Sequence, residues 1–220
     1  MLRTAISVKT PTRRSFVSHG SSRWPISTAS SMAAGLLIAF VLAAVIVAIF
    51  GVGDRGTVIA LRATARWSFL LFWLAYAGGA MAKLFGPRFN TLAQQGRTMG
   101  LAYASAQLMH VALIFWLFYL AGRPGGGMVV FWAGIACTYL LALFSWPRLR
   151  DALGLRWWRI VRTIAMEYIA YVFAVDFILG PLHGHGVAGY PLSYVPFAIV
   201  LVVGASLRMA AAVRPQLVAQ

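Results

Sequence analysis

Apolar residues run in long, unalternated stretches, broken by short clusters of Arg, Pro and Gly. Cutting at those clusters leaves six segments: Met32 to Phe50, Ala65 to Met81, Thr98 to Ala121, Met128 to Trp146, Trp158 to Leu179 and Tyr190 to Leu207. Each is near the ~20 residues a helix needs to cross ~30 Å of hydrocarbon. Barrel strands would alternate apolar and polar positions, and these runs do not, so the pattern predicts helices that satisfy their backbone hydrogen bonds internally. The expected fold is an all-α integral membrane protein, a six-transmembrane-helix bundle over residues 32–213. Residues 1–31 are rich in Ser, Thr and Arg, lack acidic side chains and read as a disordered basic tail. A signal peptide or a mitochondrial transit peptide is the alternative for that stretch.

Composition supports the same solvent. Hydrophobic residues make up 61% of the 220 positions, charged residues 10%, and the mean hydropathy is +0.80. A soluble domain is near one quarter charged, so the medium for this chain is lipid. The net charge of +15 could indicate nucleic acid, but the basic residues punctuate apolar runs instead of forming one polar patch. They read as a topology signal. With the N-terminus inside, the inner side collects Arg3, Lys9, Arg13, Arg14, Arg23, Lys83, Arg88, Arg97, Arg148, Arg150, Arg156, Arg159, Arg162, Arg208 and Arg214, leaving Arg55, Arg62, Arg66 and Arg123 outside. The positive-inside rule then predicts both termini in the cytoplasm, with a cell (inner) membrane as the location. The connections between segments are too short for a nucleotide or flavin domain. Gly125 to Gly127 follow no strand and do not have the spacing of a phosphate loop. A single cysteine, Cys137, excludes an intramolecular disulfide and multi-cysteine metal sites.

Polar groups within apolar spans are functional candidates because the bilayer penalises them. His110 lies 13 residues past Arg97, roughly 20 Å at 1.5 Å per residue, at mid-membrane depth. An imidazole there can ligate haem iron, or can be held by hydrogen bonds to a neighbouring helix. Glu167 falls at similar depth, so a His110–Glu167 pair is expected either to relay protons or to tie helices together; a protonated Glu167 bonded to another helix is the alternative. Asp176 precedes His183 and His185, a set chemically able to take zinc or copper, though two histidines in a Gly-rich loop are more often simply exposed. Gly78, Gly79 and Gly134 read as sites of close helix approach.

Arg97-Thr98-Met99-Gly100-Leu101, followed nine residues later by His110, resembles the R-x-L-G-L…H stretch of the ferric reductase-like transmembrane family, which includes the haem subunit of a periplasmic methionine sulfoxide reductase system. Ala63 to Trp67 is similar to that family's second-span entry, and Leu141 to Ser145, Leu153-Gly154 and Trp157 to Arg162 look like its fifth-span region. The resemblance covers about residues 60 to 180. It implies a cytochrome b-like bundle that binds b-type haem between histidines of the third and fifth spans and passes electrons across the membrane. As an oxidoreductase subunit it would need a soluble or membrane redox partner. Only His110 carries over as a ligand: Val161 and Ala174 stand where the family's fifth-span histidines fall. Met166 or Tyr168 would then have to substitute. A haem-free membrane scaffold or partner subunit, and a small proton-coupled transporter using Glu167 and Asp176, are the alternative expectations.

Overall fold

The computed structural model of the protein describes residues 27–122, 128–182 and 191–218. Among them there is no strand, and nearly all of the chain is helical. The main helices are α1 (Thr28–Phe50), α2 (Asp54–Phe85), α3 (Asn90–Gln94), α4 (Gly96–Ala121), α5 (Val129–Phe144), α6 (Pro147–Leu153), α7 (Leu155–Ala174), a closing turn α8 (Gly180–Leu182) and α9 (Val195–Val218). Of these, α1, α2, α4, the run Leu155–Leu182 and α9 are each long and apolar enough to span a membrane, and the bent pair α5 and α6 makes a sixth if counted together. The described residues therefore form an all-helical bundle with five to six candidate spans. Its large exposed side chains are those of a lipid-facing surface: on α1, Leu37 is 61% exposed and Ile49 is 69% exposed.

Helix α2 is the hub, packed against α1, α3, α4 and α9. It begins at Asp54, eleven residues before the apolar run that predicts it, because its first three turns carry Arg55 and Arg62 yet remain helical. Likewise α1 starts at Thr28, capped by the Ser27 hydroxyl accepting from the Ser30 N–H at 3.1 Å, so helix reaches into the segment expected to be a disordered tail. Residues 1–26, His19 among them, lie outside the described residues, as do Gly125 to Gly127.

Two breaks shape the bundle. Gly86, at φ 82°, ends α2 in a backbone region that other residues avoid, and Pro87 follows it. Leu92 of α3 then folds back on Gly78, where a Cβ would come within 3.0 Å of its side chain. Pro147 holds Trp146 extended, and α6 leaves α5 at 101°. Alone, the 16-residue α5 is shorter than a full span.

The core is aromatic. Phe69 and Phe72 of α2 meet Phe173 of α7 at 5.1 and 5.4 Å between ring centroids, and Phe69 also meets Phe177 at 5.0 Å. Most of these contacts are edge-on or tilted, the arrangement that ring quadrupoles favour. Phe197 of α9 closes on Phe177 at 5.5 Å, so three spans share one cluster. On the other side, Gly134 brings α5 against α7, where an added Cβ would lie 2.8 Å from Val172.

Candidate functional site

Because α5 is drawn onto α7 at Gly134, a space opens between α4 on one side and α5 and α7 on the other. Two cavities occupy it, divided by Tyr103 of α4 and Thr138 of α5, whose hydroxyls lie 3.0 Å apart. One, of about 280 Å³, is lined by His110 and is close to the lower end of small-ligand sites, ~300 Å³. The other, of about 250 Å³, has Arg97, Arg150 and Arg162 around it.

In the His110 cavity the walls are apolar, from Leu61, Phe131, Ile135, Ile169, Val172 and Phe173, and four polar side chains converge: Arg62, Gln107, His110 and Asp176. His110 Nδ1 lies 3.1 Å from Thr64 Oγ1 of α2. That hydroxyl is also 3.0 Å from the carbonyls of Ala60 and Leu61; when its single proton goes to one of them, its oxygen accepts from Nδ1–H. His110 also bonds the Leu61 backbone, and with its proton on Nδ1 the lone pair stands on Nε2. A metal-ligating histidine is commonly held in this way. Gln107, three residues before His110 and so on the same helix face, has a buried Oε1 without a partner.

Asp176 reaches the cavity through a local irregularity. Pro181 cannot extend a regular α-helix, since it lacks an N–H and its ring crowds the preceding turn. The chain answers with a π-type turn over Val175–Leu179, in which the Gly180 N–H donates to the Val175 carbonyl five residues back. Wide turns of this kind are frequent at functional sites.

Glu167 is elsewhere. Its carboxylate accepts from Tyr76 Oη at 2.7 Å and from Arg208 Nε at 2.9 Å, and Arg208 also stacks on the Tyr76 ring at 4.3 Å. The expected His110–Glu167 pair is not formed: similar depth did not fix the direction each side chain takes around its helix, and Glu167 faces α2 and α9. Gly134 is a close approach as expected and so is Gly78, but Gly79 has open space around it. The expected substitute ligands are also turned away. Met166 lines the arginine cavity, and Tyr168 Oη donates to the Val130 carbonyl at 3.3 Å. His183 and His185 lie outside the described residues, so the expected outer metal set is reduced there to Asp176. Among the described residues no group of three or more His, Cys, Asp or Glu could hold a metal ion.

For haem, this donor set fits on one side. His110 is the one imidazole among the lining residues, while Ile169, Val172 and Phe173 of α7 bring no donor atom. The bis-histidine arrangement that the family resemblance implies is absent from this cavity. Arg62, Thr64 and Gln107 were missed in the sequence; the spacing of Gln107 to His110 was the one available signal. Comparison with protein-family models, with curated proteins and with solved structures finds no match.

Proposed function

We propose that this multi-pass protein is a six-span membrane electron-transfer subunit of ferric reductase-like type, with both termini in the cytoplasm, that holds one b-type haem in the His110 cavity. The observation that carries the reading is the setting of His110: Thr64 Oγ1 of another helix lies 3.1 Å from Nδ1, and the imidazole lines a largely apolar chamber between α4, α5 and α7. Haem, when bound, supplies reversible one-electron chemistry. In that chamber His110 would hold the group through its imidazole, with Thr64 orienting the ring and Gln107 and Arg62 available to hydrogen-bond its polar edges. The surrounding Leu, Ile and Phe side chains keep water from the site. Electrons would come from, and go to, a separate soluble or membrane partner.

A second reading is favoured by the network of Glu167, Tyr76 and Arg208, which joins α2, α7 and α9 with no cofactor: a haem-free scaffold or partner subunit. The ion pair also withdraws Glu167 from the pair of intramembrane acids that a proton-coupled transporter would use.

An absorption spectrum, oxidised and dithionite-reduced, of protein expressed with haem precursor separates them. We expect a Soret band that shifts on reduction and is lost in His110→Ala. A flat spectrum from a folded, monodisperse protein would reject haem binding and leave the scaffold reading.

A further inference from the structure

The second cavity is independent of the haem question. Its mouth carries Arg97 at the start of α4, Arg150 of α6 and Arg162 of α7, and its walls behind them are Phe72, Leu141 and Met166. Arg150 is paired with Asp151 at 3.0 Å. Arg97 and Arg162, by contrast, have no ion pair or hydrogen bond among the described residues, although they line one cavity. Three guanidinium groups drawn from three helices line one cavity with apolar side chains, an arrangement suited to an anion. A guanidinium recognises phosphate oxygens through paired N–H donors. The chamber behind accepts hydrocarbon.

We infer that this cavity binds a phosphate-bearing amphiphile, with the phosphate held by Arg97, Arg162 and Arg150 and the apolar tail lying against Phe72, Leu141 and Met166. The bend between α5 and α6 is what makes the site, since it swings Arg150 towards the mouth instead of continuing the α5 axis away from it. Basic pockets between transmembrane helices at the cytoplasmic side are suited to anionic lipid headgroups. A soluble organophosphate shares the headgroup chemistry but has no tail to fill the chamber.

Native mass spectrometry of the full chain in detergent tests this, with phosphatidylglycerol and phosphatidylcholine of the same acyl chains, and with glycerol 3-phosphate and inorganic phosphate as soluble probes. We expect one phosphatidylglycerol retained about tenfold or more over phosphatidylcholine, with the preference lost in R97Q/R162Q and kept in R55Q, whose arginine lies at the far end of the bundle. Displacement of the lipid by glycerol 3-phosphate or inorganic phosphate at equal concentration would identify a soluble phosphate as the source and overturn the tail assignment. No preference for phosphatidylglycerol in the wild-type protein, or an equal loss in R55Q, would overturn the site. Should R97Q/R162Q not fold, R97K/R162K replaces it: charge is kept while the paired donors are lost, and a reduced, not abolished, preference is expected.

Discussion

At His110 the ring is held at Nδ1 by a hydroxyl on a different helix, 46 positions away in the chain. Thr64→Val keeps the shape of that side chain and removes the oxygen, so we expect it to weaken haem retention by about 10- to 100-fold, with Thr64→Ser close to wild type. Titration of haem into the purified apoprotein, followed at the Soret band, reads both. The place of His110 along its helix was legible in the sequence because rise per residue along a helix is constant. Its partner was not. Rotation about the helix axis is decided by packing with other spans, and the same blindness misassigned the partner of Glu167. Gln107 was within reach of the spacing rule, but an amide inside an apolar run draws less notice than a charge.

Among the elements, the apolar runs marked every span, and the ends of helices were the part that could not be read. Helix α2 passes through Arg55 and Arg62 because charged residues interrupt hydrophobicity without interrupting backbone hydrogen bonds. The sharp turn at Trp146 and the wide turn at Val175–Leu179 both follow from prolines, Pro147 and Pro181, that were visible in the sequence as breaks but not as particular geometries. Glycines tell a similar story. Gly134 and Gly79 look alike as letters, yet only one sits against a neighbour. Gly134→Leu should force α5 from Val172 and lower stability by about 1–3 kcal/mol. Gly79→Ala meets open space in mid-helix and should raise stability by up to about 1 kcal/mol. Thermal unfolding of the two variants in one detergent compares them, and equal effects would contradict the packing described.

For the whole molecule, three spans are joined where Tyr76, Glu167 and Arg208 meet. Arg208→Gln is expected to lower stability by about 1 kcal/mol, the modest figure suited to a carboxylate that is half exposed, and adding Glu167→Gln should recover part of the loss. Additive losses in the double variant would mean that the pair is not coupled. If both termini lie inside as proposed, a periplasmic reporter enzyme fused after Gln220 should be inactive and a cytoplasmic fluorescent reporter bright; the reverse pattern would overturn the proposed orientation. The meeting of Tyr103 and Thr138 has a consequence of its own. Tyr103 lines both cavities, so a change of its rotamer would alter both spaces at once, and the bond to Thr138 is what holds that ring in place.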